Sequence, residues 1–244
     1  MSMEQAFLFN PSSVKIATNH PQEFPLELNE TILCSEARAF SELESTHPEP
    51  SLFGVTDGKA VGTYLEAKFI GYLRGKGYTF DKGNAASGLD FPSLNIDIKV
   101  TSVRQPQSSC PFRGIRQKVY GLGYGLIVFV YSKTDDSQSR TATLTITDAV
   151  FVEAAHTADY TMTKGLLEIL DQGGNEEDLA GFMQARALTD DHAHLTLLAE
   201  EILSNRPEQG YLTISPALQW RLQYKRVIEK AGQVDGVISV YRNV

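Results

Sequence analysis

Asp90, Asp97 and Lys99 are the residues of this chain whose types and spacing best suit joint chemistry. Asp97 and Lys99 interrupt an otherwise apolar run, Ile96 to Val100, that reads as a β-strand. Successive strand side chains alternate faces, so this pair projects from one side while Ile96, Ile98 and Val100 project from the other. Pro92, Ser93 and Asn95 are turn formers, and they let the chain double back so that Asp90 meets Asp97. Crowded carboxylates raise one another's pKa unless a cation joins them. A hard divalent cation such as Mg2+ meets that need with carboxylate, carbonyl and water oxygens, without the His or Cys that zinc prefers. Bound there, it acidifies an attacking water, screens a phosphodiester and stabilises the leaving oxyanion. Asp90 and Asp97 would hold it, the Ile98 carbonyl would add a ligand, and Lys99 would orient the water or neutralise developing charge.

The tripeptide acid-x-Lys is not informative by itself, because Asp57-Gly58-Lys59 and Glu66-Ala67-Lys68 carry it too. The first lies at a glycine turn and reads as a solvated helix entry. The second lies on a helix, where positions two apart do not face each other. Glu66 returns in another role. Beside Gly62, Phe69 and Leu73 it edges the apolar stripe of that helix and points toward the sheet, as a third acid near the site or as an ordinary boundary glutamate.

The elements that must position these groups follow from periodicity. Val61, Leu65, Phe69 and Leu73 predict a helix over Lys59–Arg74, closed by Gly75 and Gly77. Gly125–Tyr131 is β-branched and aromatic without a polar interruption, as in a strand covered on both faces. Thr141–Phe151 alternates as its neighbour, Tyr78–Phe80 and Val237–Arg242 read as shorter strands, and 102–112 reads as a polar loop followed by a short helix over Arg113–Tyr120. Residues 31–45 and Asp191–Leu203 have helical composition, and Ser215 with Pro216 reads as the cap and first turn of a late helix. The fold expected is α/β, a mixed central sheet flanked by helices, in one domain over 1–244. Its catalytic core is placed at about 58–152, with an N-terminal arm over 1–57 and a helical C-terminal elaboration over 153–244.

At 244 residues the chain can bury a real core, and no stretch approaches the roughly 18 apolar residues that span a bilayer. With no signal-peptide pattern, a cytoplasmic setting is the default. Cys34 and Cys110 are too few for a disulfide framework or a thiolate zinc site. The net charge of −8 is uneven: Glu168 to Glu208 holds ten acids against Arg186 and Arg206, whereas Ile98 to Thr134 has no acid and carries Lys99, Arg104, Arg113, Arg116, Lys118 and Lys133. A local basic surface suits a phosphate backbone even on an acidic protein. His192 and His194 do not share a helix face, so they are no metal site. Gly121 to Gly125 precedes a strand, the reverse of a dinucleotide loop, and no nucleotide cofactor is expected.

The order helix-Glu66, Gly88-Leu89-Asp90, Asp97-Ile98-Lys99, helix and apolar strand resembles the PD-(D/E)xK nuclease superfamily over roughly residues 58–152, and the plain layout is similar to type II restriction endonucleases. Leu89 stands where the motif's name has proline. The resemblance implies Mg2+-dependent hydrolysis of DNA phosphodiesters with Asp90, Asp97 and Lys99 at the catalytic positions. The segment leaving the strand then reads as the DNA-reading element. Arg104, Gln105 and Gln107 suit base edges, and Ser108, Ser109, Arg113, Arg116 and Lys118 suit phosphates. A second basic cluster, Arg221, Lys225, Arg226 and Lys230 near Trp220, suits the backbone or an ordinary amphipathic helix. The leading expectation is a sequence-specific endonuclease of double-stranded DNA, acting as a homodimer because two symmetric sites most simply cut both strands of a palindrome. A structure-specific or repair nuclease on the same core and a non-catalytic DNA- or protein-binding module are the alternatives.

Overall fold

Apolar residues on both faces of one strand organise the molecule into layers. The computed structural model describes residues 26–81, 88–109, 113–215 and 221–243. In chain order its elements are β1 (Leu26–Glu27), α1 (Glu30–Glu44), β2 (Pro48–Glu49), α2 (Gly58–Gly75), β3 (Tyr78–Thr79), β4 (Ile96–Ser102), β5 (Gln107–Ser109), α3 (Gln117–Tyr120) and β6 (Gly125–Asp136). They continue as β7 (Thr141–Val152), α4 (Tyr160–Asp171), α5 (Glu176–Ala185), α6 (His192–Ser204), β8 (Thr213–Ser215), β9 (Arg221–Gln223), α7 (Lys225–Lys230) and β10 (Val237–Arg242). Among the described residues the central sheet runs β10-β7-β6-β4, with β2 also on β7. The β4–β6 pair is parallel and the others are antiparallel, so the sheet is mixed.

β6 sits inside this sheet and is the strand that sequence marks as covered twice. Ile127, Phe129 and Tyr131 enter one apolar cluster, and Leu126, Val128 and Val130 enter another on the opposite face. α1 and α2 cover the first face. Asn29 caps α1 by accepting from the Ile32 N–H, and Asp57 caps α2 by accepting from the Lys59 N–H, which is all that the Asp57-Gly58-Lys59 tripeptide does here. Val61, Leu65, Phe69 and Leu73 are the buried stripe of α2, and Phe69 packs 5.0 Å from Phe40 and 5.1 Å from Phe129, ring centre to ring centre. Burying one such side chain stabilises by about 1.5–3 kcal/mol, and the cluster fixes α2 across β4 and β6.

The opposite face is covered by a small antiparallel sheet, β5-β9-β8, and by α7, through Leu212, Ile214, Leu222, Tyr224 and Val227. A third cluster joins α4, α5 and α6 to Val119 of α3. Among the described residues no helix is long and apolar enough to cross a membrane.

Several sequence expectations change. Residues 26–57 are no arm: Leu33, Ala37 and Phe40 of α1 are core residues, and β2 pairs with β7. Residues 1–25 of the expected arm lie outside the described residues. The core also reaches beyond 58–152 at its other end, since β10 lies against β7. Ser215 does not cap a helix. It ends β8 opposite Arg221 of β9, because alternation buries Ile214 and Leu222 against the central sheet, and the helix starts only at Lys225. Pro216 and Trp220 lie outside the described residues, as do Cys110 to Phe112 of the expected loop, whose earlier part includes β5.

Candidate active site

The turn before β4 places the acids. Phe91 and Ile96 form an antiparallel bridge with Phe91 N to Ile96 O at 3.0 Å and Ile96 N to Phe91 O at 3.2 Å. Pro92–Leu94 make a single 3-10 turn between them, and Asn95 closes it in the left-handed region at φ 57°. Asn adopts that region more readily than most residues, and its amide also donates to the Gly123 carbonyl at 2.8 Å, which ties the turn to the start of β6. The result brings Asp90 to the flank of β4, where Asp90 Oδ2 accepts from the Ile98 N–H at 2.8 Å.

Asp97 and Lys99 face the layer of the small sheet, in register with Leu126 and Val128 of β6. Asp97 is 5% exposed, and its Oδ2 pairs with the Lys99 ammonium. The Asp90 carboxyl is hydrogen-bonded to that of Asp97. Burial first, and the neighbouring carboxylates of Asp97 and Glu66 after it, push Asp90 up to about 7 against the opposing Ile98 hydrogen bond. Glu66 comes from α2. One turn earlier, Gly62 faces β4, where a Cβ would stand 3.9 Å from Val100 Cβ, an ordinary contact. Burial raises the Glu66 pKa, the Lys99 charge lowers it and the Asp97 charge raises it, so Glu66 acts on the same electrostatic site.

The donor set is hard oxygen, as Mg2+ prefers. The N–H and C=O of one strand residue leave the same side of the strand, so the Ile98 carbonyl points to the flank where Asp90 already binds its N–H. Because β4 pairs with β6 alone among the described residues, that flank has no neighbouring strand there. Among the described residues no three His, Cys, Asp or Glu side chains gather closely enough to hold a metal by themselves. The expected three-acid ligand group is therefore reduced to the Asp90–Asp97 pair, with Glu66 beside it. Two carboxylates with carbonyl and water oxygens are an ordinary Mg2+ set, so these residues fit the ion.

Comparison with known proteins gives the family. A family model described as type II restriction enzyme NspV matches residues 27–239. The type II restriction enzyme NspV of Nostoc sp. is 59% identical over 211 residues, covering 86% of this chain and 96% of that protein. The chain belongs to the NspV family of type II restriction enzymes. No solved structure matches it. Membership in the NspV family makes the chain a sequence-specific endonuclease with double-stranded DNA as substrate, in a class of enzymes that generally uses divalent metal ions. The matched span takes in Glu66, Asp90, Asp97 and Lys99, and also α1 and the first half of β10.

The expected DNA contacts separate into two groups. Arg104 and Gln105 are exposed at the turn after β4, Gln107 and Ser109 lie on β5, and Arg113 is exposed with its guanidinium 3.7 Å from where a Gly88 Cβ would stand, at the entrance to Asp90. The others are committed elsewhere. Ser108 Oγ is bonded to the Tyr224 hydroxyl at 2.5 Å. Arg116 grips Glu201 with Nε at 2.9 Å and Nη2 at 2.5 Å, while stacking on Tyr120. Lys118 is 6% exposed, and burial lowers its pKa despite the nearby Asp159 charge. Sequence shows a basic stretch but not which of its cations face inward to join the helical layer.

Other sequence motifs resolve into structure. Lys68 turns from Glu66 to Glu44 at 2.7 Å and Tyr64 at 2.6 Å. His194 pairs with the α6 cap Asp191 at 3.2 Å. Gly121 turns at φ 83°, where a Cβ would stand 2.5 Å from the Ala154 carbonyl. Of the second basic cluster, Arg226 lies over the Tyr160 ring at 3.9 Å and bonds Thr213 at 3.0 Å. Thr101 was passed over in the sequence. It continues the polar face Asp97-Lys99-Thr101 at a spacing of two, the signal that could have found it.

Proposed function

We propose that this endonuclease cuts DNA at a PD-(D/E)xK-type site in which Asp90, Asp97 and the Ile98 carbonyl hold Mg2+, with Lys99 and Glu66 completing the centre. The hairpin that sets the Asp90 carboxylate on the Ile98 N–H at 2.8 Å, beside Asp97 and its Lys99 partner, carries this reading, because crowded carboxylates next to a strand carbonyl suit a hard cation. Bound there, Mg2+ would supply charge to activate water and to stabilise the leaving oxyanion. The chain's own groups do the rest. Asp97 anchors the Lys99 ammonium on the strand face, which holds it ready to neutralise charge growing on the attacked phosphate. Glu66 adds negative potential from α2, and the Ile98 N–H fixes the orientation of the Asp90 carboxylate.

Arg104, Gln105 and Gln107 would read base edges, with Ser109 and Arg113 on the backbone. Residues 1–244 would act as one domain, and two copies would act as a homodimer, since a palindromic site presents one equivalent scissile bond per strand. The enzyme would work in the cytoplasm, where DNA is met. The test is to digest a fully sequenced plasmid with purified protein and Mg2+ and to map the ends, then to repeat with Asp97→Ala. Discrete fragments from the parent protein, none from the variant and retained DNA binding in both are the expected results. An Asp97→Ala protein that cuts like the parent would overturn the site.

A further inference from the structure

We infer that Thr101 is a positioning residue that joins the reading turn to the catalytic strand, so that cutting depends on the turn's fit to DNA. The inference rests on the site proposed above and extends it to how recognition is coupled to cleavage. Thr101 shares a face of β4 with Asp97 and Lys99 and is 4% exposed. Its hydroxyl lies 3.2 Å from the Gln105 carbonyl and 3.2 Å from the Gln107 carbonyl, and accepts from the Gln107 N–H at 2.9 Å. The turn between those contacts is closed by Gln105 N to Ser102 O at 3.2 Å, Arg104 N to Ser102 Oγ at 3.3 Å and Val103 N to Tyr131 O at 2.9 Å. Beyond it, Tyr224 N donates to the Pro106 carbonyl at 2.8 Å.

Backbone polar groups on the far side of the turn are thus gathered on one buried hydroxyl at its near side, two residues past Lys99. Val103, Arg104 and Gln105 are left exposed, and the last two have base-reading chemistry. A turn fastened in this way has little freedom to follow a wrong base without pulling on the end of β4. A mismatch is then felt at the Lys99 ammonium and the Asp97 carboxylate, and discrimination appears in the rate of cutting beyond its share in binding. Valine keeps the shape of threonine and removes the hydroxyl, whose one proton serves one carbonyl at a time, and it leaves the Gln107 N–H only the Gln105 carbonyl at 2.8 Å.

The experiment compares Thr101→Val and Thr101→Ser with the parent protein on plasmids carrying the mapped site or single base-pair substitutions of it. Binding in Ca2+ and single-turnover cutting in Mg2+ are both measured. Thr101→Val is expected to lower the ratio of cognate to substituted-site cutting rates at least ten-fold with less than three-fold change in cognate binding, and Thr101→Ser to restore that ratio. In an Arg104→Ala background, Thr101→Val should lower the ratio no further. A parental ratio in Thr101→Val, or a loss in the Arg104→Ala background equal to that in the parent, overturns the coupling. If Thr101→Val does not fold, Thr101→Ala takes its place: a ten-fold lower ratio that falls no further in the Arg104→Ala background supports the coupling, and a parental ratio overturns it. Failure of the underlying site is seen separately, as normal cutting by Asp97→Ala.

Discussion

Replacing Asp90 with asparagine isolates the electrostatic cost of the candidate site. Asn keeps an oxygen for the Ile98 N–H and removes the carboxylate that crowds Asp97. In the folded protein the Asp90 carboxyl rises from 3.8 to about 7, so the folded state binds this proton more tightly than the unfolded state does. Stability from the proton is therefore fully present below about pH 4 and is lost as pH rises through about 7. A shift of roughly 3 units corresponds to about 4 kcal/mol at most. Asp90 keeps partial contact with solvent, and screening reduces the expected loss to about 2 kcal/mol. Urea unfolding in EDTA from pH 4 to pH 8.5 measures it: Asp90→Asn should gain about 2 kcal/mol on the parent across that range, with most of the change complete by pH 8. Added Mg2+ should then stabilise the parent at pH 8 and leave the variant unchanged. Parallel stability curves for the two proteins would refute the reasoning, because they would mean that Asp90 titrates as it does in the unfolded chain.

Arg104→Ala should cost about 1–3 kcal/mol of preference for the cognate site, read by competition binding against substituted sites, with non-specific binding much less affected. Arg116→Ala, which breaks the surface pair with Glu201, should lower stability by no more than about 1 kcal/mol in thermal unfolding and leave the cutting rate on cognate DNA within two-fold. The pH profile of cutting at limiting Mg2+ should rise toward pH 8, and the protons released per ion bound should fall from about one near pH 6 toward none at pH 8, which calorimetry in buffers of different ionisation enthalpy counts.

The sequence carried the site's chemistry further than it carried the fold's edges. The strand alternation around Asp97, the turn residues before it and the stripe Val61-Leu65-Phe69-Leu73 are local signals, and the structure has the hairpin, β4 and α2 that they predict. The β8–β9 pair was illegible because three-residue strands have too little pattern to outweigh the helix signals of Ser215 and Pro216. The extension of β6 to Asp136 was hidden for another reason. Its outer half is polar and paired with β7 beyond the core, so hydrophobicity does not mark it. The inward turn of Lys118 depends on α3 docking near Asp159 of α4's cap, a contact between residues far apart in the chain.

The position of β4 at the margin of the central sheet has a consequence for self-association. A bare strand margin is a template on which another chain's strand can add, and buried or inward-facing charges are among the devices that block such growth. Asp90 occupies the Ile98 N–H on that margin, and Asp97 with Lys99 keeps an ion pair on the adjoining face. The groups assigned to cutting DNA would thus also disfavour the addition of a strand at this margin. A catalytically dead protein made by removing all three charges would expose a longer, flatter and more apolar margin, and it would be the form most prone to polymerise.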